Sequence, residues 1–235
     1  MTHIYSKALG NLQMRFFLLF ALTFLLTPPG FTQPSGIQLS SDKLQALTDD
    51  YLKQYHKSEN ISAITLTANS GETLTTVNSG YTDFSDTQPI SSTNLYQIGS
   101  ITKSFISAII LQLEATPKLH FNIDDKLATY LPQYKEWGNV TVRQLLNMTS
   151  GIPDYLANDN YLQDFTNNPY KKWLPEEQID YVAKKPLQFQ PGTKWDYSNT
   201  NYVLAGMIIS KLTGRSLEEE INSRFLAPNN TSHLR

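Results

Sequence analysis

The chain has 235 residues, of which 40% are hydrophobic and 17% are charged, and its formal net charge is −2. This length and hydrophobic content suffice for one domain with a substantial core, and a near-neutral chain without runs of like charge predicts no nucleic-acid partner. The sequence contains no cysteine, which excludes disulfides and thiol catalysis. Its 4 histidines are scattered without metal-ligand spacing, so no metal site is predicted.

The segment 1–33 differs in composition from the rest of the chain. Lys7 and Arg15 precede an apolar run over residues 16–26, and prolines follow it. A basic region, an apolar stretch and helix breakers are typical of a secretory signal peptide. The run is shorter than the roughly 20 apolar residues that span a bilayer, and the alternative is an N-terminal anchor with membrane anchorage through residues 16–26. In both cases we expect a periplasmic or secreted protein.

The next elements alternate between helix and strand patterns. Residues 40–57 have apolar positions at helical spacing, which predicts an amphipathic helix. The β-branched segment 61–68 and the segment 72–78 flank an Asn-Ser-Gly turn and predict a β-hairpin. The strongly apolar segment 101–114 predicts a buried helix that ends before Pro117.

The remainder of the chain is predicted to be helical and rich in loops. A capping box at residues 141–144 begins one helix, and Pro175 begins a second one. The apolar segment 201–211 predicts a third helix that stops near Gly214. A second capping box at residues 216–219 begins the last helix.

Ser100 and Lys103 form a Ser-x-x-Lys motif at the start of the apolar helix. Positions i and i+3 share a helix face, so the Lys103 amine is expected within reach of the Ser100 hydroxyl. A serine is a weak nucleophile until a base takes its proton, and a lysine kept uncharged by burial and by the positive end of a helix can be that base. The backbone N–H of Ser100 is a candidate oxyanion donor. The alternative is that Ser100 caps the helix and Lys103 extends along its surface.

The spacing by itself does not single out Ser100, because Ser40 and Lys43 match the same motif. Ser40 precedes a polar, amphipathic helix, so it is predicted to be an N-cap. Ser100 differs because a glycine precedes it and a long apolar helix follows it.

A Tyr-x-Asn motif at Tyr197 and Asn199 precedes the predicted helix over residues 201–211. A tyrosine near a lysine can pass the serine proton to a leaving group as general acid. An amide can hydrogen-bond both the lysine and a substrate carbonyl. The alternatives are that Tyr197 is an ordinary half-buried aromatic residue and that Asn199 is the N-cap of the following helix.

Three segments of the chain resemble the class C β-lactamase and D-alanyl-D-alanine carboxypeptidase-like serine hydrolases. They are residues 96–105, 145–155 and 189–202, which contain the two motifs above and stand in that family's order at about its spacing. The resemblance implies an α+β fold, with an antiparallel sheet flanked by helices and a mostly helical subdomain. It places this domain at residues 36–235, with the helical subdomain at about 118–215.

The resemblance also implies the chemistry. It assigns the acylated nucleophile, its base partner, the proton relay and a substrate contact to Ser100, Lys103, Tyr197 and Asn199, respectively. The implied reaction is attack on an amide, β-lactam or ester carbonyl through an acyl-enzyme, with no metal or organic cofactor. The implied substrates are peptidoglycan stem peptides, β-lactams or esters. The alternative is a non-catalytic penicillin- or peptidoglycan-binding protein.

The sequence departs from the family pattern after Tyr197. The family's third motif, Lys/His-x-Gly on a strand, is not found there, and Lys211 and Gly214 have the wrong spacing at a predicted helix end. In the family, that strand supplies a second oxyanion N–H, and loss of one such donor costs roughly a hundred- to a thousand-fold in rate. We therefore expect a C-terminally truncated member with the C-terminal strands missing, and an inactive fragment is a further alternative.

Overall fold

The computed structural model describes residues 40–70 and 73–229. The chain divides into two compact units, the first ending at Ser92 and the second beginning at Thr93. The signal peptide or anchor predicted for residues 1–33 lies outside the described residues. Within the described ranges, no helix is both long and apolar enough to cross a membrane.

The first unit contains a helix and a two-stranded antiparallel sheet. These elements are α1 (Ser41–Tyr55), β1 (Ala63–Asn69) and β2 (Leu74–Gly80). The predicted helix and hairpin are confirmed, although both strands begin two residues later than the sequence pattern indicated. Leu44 of α1 and Val77 of β2 are buried, so the apolar faces of the helix and the sheet supply the interior of this unit.

Ser40 is the N-cap of α1, as predicted. Its Oγ accepts a hydrogen bond from the backbone N–H of Lys43 at 3.4 Å. The Ser-x-x-Lys spacing at this position therefore reflects helix capping, since a serine oxygen satisfies one of the backbone donors that a helix start leaves unpaired.

The second unit is mostly helical. Its α-helices are α2 (Thr102–Glu114), α3 (Leu127–Tyr130), α4 (Val142–Leu146), α5 (Asp159–Asn167), α6 (Pro175–Asp180), α7 (Asn199–Thr213) and α8 (Leu217–Ile221). Short 3-10 turns lie at Gly99–Ile101, Pro117–Leu119, Lys135–Trp137 and Tyr155–Ala157, and a π-helical turn over Asn222–Leu226 follows α8.

The helix boundaries follow the local signals in the sequence. Thr141 and Gln144 form reciprocal hydrogen bonds between side chain and backbone at the start of α4, and the capping box at residues 216–219 does the same for α8. Gly214 ends α7 with a φ of 71°, a left-handed conformation that glycine adopts without the penalty of a side chain. Both predicted capping boxes and the predicted helix stop are therefore confirmed.

Helices α2 and α7 pack against each other in the hydrophobic core of the second unit. Their fully buried side chains are Ile109, Ile110, Ile208 and Ile209, and Leu204 and Ala205 of α7 are buried beside them. Burial of an aliphatic side chain of this size contributes about 1.5–3 kcal/mol. Because the core holds the two helices together, residues at their N-terminal ends come into contact.

Candidate active site

Ser100 lies in the 3-10 turn that leads directly into α2, and Lys103 is the second residue of that helix. The Lys103 Nζ is 3.1 Å from the Ser100 Oγ. Gly99, just before the serine, has a φ of 51°, which a side chain would disfavour. The glycine therefore permits the turn that places Ser100 at the helix start.

The structure does not support a capping role for Ser100. Ile98 and Ile101 occupy the N-cap positions of the 3-10 turn and of α2, and neither position has a side-chain capping bond. Lys103 is turned toward Ser100 and is partly buried. The alternative in which Ser100 caps the helix and Lys103 follows the helix surface is therefore wrong.

Tyr197 reaches Ser100 from a distant part of the sequence. Its Oη lies 2.7 Å from the Ser100 Oγ, and either hydroxyl can be the donor. The Lys103 Nζ lies 4.8 Å from the centroid of the Tyr197 ring and 5.6 Å from that of Tyr202. Aromatic faces within about 6 Å attract a cation. The two rings therefore favour the placement of the Lys103 Nζ at this position beside Ser100.

Asn199 is the first residue of α7, and Ser198 occupies the N-cap position. The interpretation of Asn199 as the N-cap is therefore wrong. Its side chain points to the lysine instead, because the Asn199 Oδ1 accepts a hydrogen bond from the Lys103 Nζ at 2.8 Å. The structure thus brings together all four residues that the sequence singled out.

Asp154 is a further residue of this cluster that the sequence analysis did not identify. Its Oδ1 accepts hydrogen bonds from the backbone N–H groups of Asn199 at 3.1 Å and of Leu156 at 3.2 Å. Its Oδ2 accepts from the Asn199 Nδ2 at 3.0 Å. Burial raises the pKa of the Asp154 carboxyl above its usual value, against the opposing effects of these hydrogen bonds and of the Lys103 charge.

The two residues that follow Asn199 fix the loop after α4 to the start of α7. Thr200 donates its hydroxyl to the carbonyl of Pro153 at 2.7 Å and accepts from the backbone of Tyr155 at 3.0 Å. The Asn201 Oδ1 accepts from the Ser150 hydroxyl at 2.7 Å. These bonds are buried, where leaving a donor or acceptor unpaired costs about 1–3 kcal/mol. The segment that carries Asp154 is thereby held against the segment that carries Asn199.

A cavity of about 840 Å³ opens beside the cluster within the second unit. Lys103 and Asn199 line one part of it, together with Gly99, Thr102, Tyr155 and Tyr202. Such a volume falls in the range of small-molecule sites, which combine apolar walls with a few converging polar groups. The residues described in the structure include no group of three or more acidic or histidine side chains that could hold a metal ion.

A serine nucleophile candidate that contacts a lysine one helical turn away and a tyrosine of a Tyr-x-Asn motif, in an α+β protein, defines the β-lactamase/transpeptidase-like class. Residues 48–234 match the family described as Beta-lactamase. The chain therefore belongs to the Beta-lactamase family, and its fold is the one that the resemblance implied.

Similarity to individual proteins agrees with this assignment. A penicillin-binding protein of Bacillus subtilis (strain 168) is 32% identical over 166 residues, which cover 69% of this chain and 35% of that protein. The crystal structure of a D-stereospecific amidohydrolase from Streptomyces sp. matches with a TM-score of 0.68 and 31% identity, covering 79% of this chain and 54% of that one. A D-amino acid amidase from Ochrobactrum anthropi SV3, in complex with L-phenylalanine, matches with a TM-score of 0.68 and 30% identity, over 81% of this chain and 50% of that one. The chain thus spans about a third to a half of the length of these relatives.

Proposed function

We propose that the chain acts as a serine hydrolase that attacks an amide, β-lactam or ester carbonyl and forms an acyl-enzyme at Ser100. One observation carries the proposal: the Ser100 Oγ lies 3.1 Å from the Lys103 Nζ and 2.7 Å from the Tyr197 Oη. A nucleophile needs a base within about 2.6–3.2 Å, and a second proton-transfer group must reach the leaving group. The arrangement supplies both.

In the proposed acylation, the uncharged form of Lys103 is the species that takes the proton of Ser100 as the Oγ bonds to the carbonyl carbon. The Asn199 Oδ1 accepts an N–H of the lysine, which leaves the nitrogen lone pair for Ser100. When the tetrahedral intermediate collapses, Tyr197 gives its proton to the leaving nitrogen or oxygen and receives one from Lys103. Water then attacks the acyl-enzyme by the reverse proton transfers.

In this proposal, backbone N–H groups stabilise the negative charge of the tetrahedral intermediate. Ser100 stands in the first turn before α2, where the backbone N–H groups point away from the helix and the helix dipole favours negative charge. We propose its N–H as one oxyanion donor. A donor of this kind contributes roughly a hundred- to a thousand-fold in rate.

The proposed substrates are amides and esters whose acyl group lies next to a D-configured residue, or β-lactam analogues of these compounds. A penicillin-binding protein and two enzymes named for D-amino acid or D-stereospecific amide substrates are among the proteins to which the chain is similar. In the proposed binding mode, the second N–H of the Asn199 amide, which Asp154 does not take, donates to the substrate amide carbonyl.

Covalent labelling tests the proposal. Purified protein is incubated with a fluorescent penicillin, a D-phenylalanine amide and a chromogenic ester, and the adduct is located by mass spectrometry. We expect label or turnover with at least one of the three compounds, an adduct on Ser100, and complete loss in Ser100→Ala. Ser104→Ala is the matched control, because Ser104 is an exposed serine in the first turn of α2, so this variant should react normally.

Two outcomes would contradict the proposal: no reaction with any of the three compounds, or equal reaction in Ser100→Ala. Penicillin label that forms and never turns over would instead favour the non-catalytic penicillin-binding alternative. Each outcome is measured on the same preparations, whose folding is checked by cooperative urea unfolding.

We also propose that the chain is exported, on the basis of the basic and apolar pattern before residue 33. N-terminal sequencing of the expressed protein from the extracytoplasmic fraction tests this. A new N-terminus after residue 26 would indicate cleavage, an intact one with membrane retention would indicate the anchor, and recovery in the cytoplasm would contradict export.

A further inference from the structure

The side chain of Asn199 lies between two groups of opposite hydrogen-bonding character. On one side, the Lys103 Nζ donates to its Oδ1 at 2.8 Å. On the other side, the Asp154 Oδ2 accepts from its Nδ2 at 3.0 Å. A side-chain amide has nearly the same shape when its oxygen and nitrogen exchange places, so only its partners decide which way it faces.

Asp154 specifies that direction because an ionised carboxylate only accepts hydrogen bonds. If the Asn199 amide were flipped, its oxygen would face the Asp154 oxygens and its NH2 would face the Lys103 amine. The first contact would then set acceptor against acceptor. The second would set the amide donors against a charged lysine, or would occupy the lone pair that an uncharged Lys103 needs for Ser100. The same carboxylate also accepts the backbone N–H of Asn199 at 3.1 Å, so it fixes the start of α7 as well as the side chain.

We propose that Asp154 is a positioning residue of the active site, one that acts through Asn199 on Lys103 and on the bound substrate. This inference rests on the proposed hydrolase function. By holding Asn199 in one orientation, Asp154 keeps the Oδ1 directed at the lysine and keeps one N–H directed away from the carboxylate. Catalytic groups lose roughly a hundred-fold in rate when they are misplaced by about 1 Å.

A helix-capping role alone does not account for these contacts. Asp154 does cap the 3-10 turn Tyr155–Ala157 through the backbone of Leu156, but one carboxylate oxygen suffices for that bond. The second oxygen is committed to the Asn199 side chain. The test must therefore separate an effect on the reaction from an effect on stability.

Asp154→Asn is the informative substitution because it keeps the shape and changes one acceptor into a donor. The remaining oxygen can still accept the two backbone N–H groups, which turns the new NH2 toward the Asn199 Nδ2. We expect Asn199 to flip and present its own NH2 to Lys103. Acylation by the fluorescent penicillin should slow about 10- to 100-fold. The acylation rate at saturating penicillin should fall, while the penicillin concentration that gives half of the maximal rate should stay nearly the same.

Asn158→Ala is the matched control. Asn158 caps α5 four residues further along the same segment and donates to the carbonyl of Tyr181, so its side-chain hydrogen bonds are made to groups other than Asn199 and Lys103. Its loss is expected to lower the midpoint of urea unfolding, because a helix cap is removed, and to leave the acylation rate per folded molecule unchanged. Asp154→Asn should slow acylation even when the rate is expressed per folded molecule, so that any loss of stability is already taken into account.

A readout that does not depend on activity separates this inference from the proposed function. In the 15N-labelled full chain, the Asn199 side-chain amide signals are assigned by their loss in Asn199→Asp. We expect one N–H proton of the Asn199 side chain to be protected from exchange with water in the wild type and in Asn158→Ala. In Asp154→Asn, the same proton should exchange freely. Unchanged Asn199 signals in Asp154→Asn, or acylation within twofold of wild type, would overturn the inference. A wild type that reacts with no probe would defeat the proposed function, while the amide signals would still decide the orientation.

Discussion

The hydroxyl of Tyr197 lies 2.7 Å from the hydroxyl of Ser100, although 97 residues separate them in the chain. Packing of α2 against α7 produces this contact, because each helix carries one of the two residues at or just before its N-terminus. The proposed chemistry depends on this distance, and four expectations about this site and its supporting loop follow from the structure.

Tyr197→Phe removes the hydroxyl that we propose as the proton relay. Acylation is expected to fall by about 10²- to 10⁴-fold, the usual contribution of a general acid, and is measured as the rate of covalent penicillin labelling. Tyr202→Phe serves as the control, because the Tyr202 hydroxyl bonds to Ser107 and to the Leu146 carbonyl rather than to Ser100. Equal acylation rates in the two variants would contradict the assigned role.

Lys103→Arg keeps a positive charge but removes the capacity to accept a proton, because arginine is not deprotonated in proteins. We expect acylation to fall by about 10²-fold or more, as measured by the labelling rate. Lys211→Arg is the corresponding control, since Lys211 lines the same cavity but is exposed. Retention of normal labelling by Lys103→Arg would show that the lysine is not the base.

Gly151→Ala tests the loop that carries Asp154. Gly151 has a φ of 76°, and a Cβ there would lie 2.4 Å from the backbone oxygen of Phe189. Gly214 has a similar φ of 71° but open space around it, so Gly214→Ala should cost only the left-handed backbone penalty of about 1–2 kcal/mol.

We expect Gly151→Ala to lower the free energy of unfolding by at least about 1–3 kcal/mol more than Gly214→Ala, because the clash adds an overpacking cost. Urea unfolding of the two variants measures the difference. Equal losses would mean that the loop can move away from Phe189 without cost.

The raised pKa of Asp154 predicts a direction for stability against pH. Burial is the main cause of the shift, so the folded protein holds this proton at pH values where the unfolded chain has already lost it. As the pH rises from below the usual value of 3.8 through the raised one, the wild type should therefore lose stability relative to Asp154→Asn. Above that window the difference should stay constant.

Asp124 provides a comparison of opposite sign. Its hydrogen bond from Arg143 is the main cause of a lowered pKa for this carboxyl, so the wild type should gain stability relative to Asp124→Asn as the pH rises toward the usual value. Urea unfolding of wild type and both variants between about pH 3 and 7 measures the two trends. Parallel trends for the two aspartates would contradict the assignment.

Local signals in the sequence predicted most of the helices and the hairpin. Ser40, Thr141 and Ser216 mark helix starts because their hydroxyls satisfy backbone donors a few residues away. Gly214 marks a helix end for an equally local reason. The helix α5 was not predicted, because its sequence is largely polar and its only buried residue is Tyr161, which packs on rings from Tyr155, Trp173 and Tyr181.

The candidate site likewise contains some contacts that the local sequence predicts and others that it does not. The proximity of Lys103 to Ser100 was predictable, because residues three apart meet on any helix. The contacts of Tyr197 and Asn199 with that pair were expected only through resemblance to a family, since no spacing rule connects residues almost a hundred positions apart. Asp154 lay inside one of the resembling segments, yet nothing in its neighbourhood indicated that it would bind Asn199.

The amino-acid sequence by itself therefore determined where helices begin and end, which serine only caps a helix, and which lysine shares a face with a second serine. Those features depend on hydrogen bonds and side-chain directions within one or two turns of the chain. Tertiary structure alone decided that Tyr197 reaches Ser100 and that Asp154 binds Asn199. Those hydrogen bonds form only when the buried aliphatic faces of α2 and α7 pack against each other. Burial against distant neighbours is a property of the packed chain and has no signature in a local pattern.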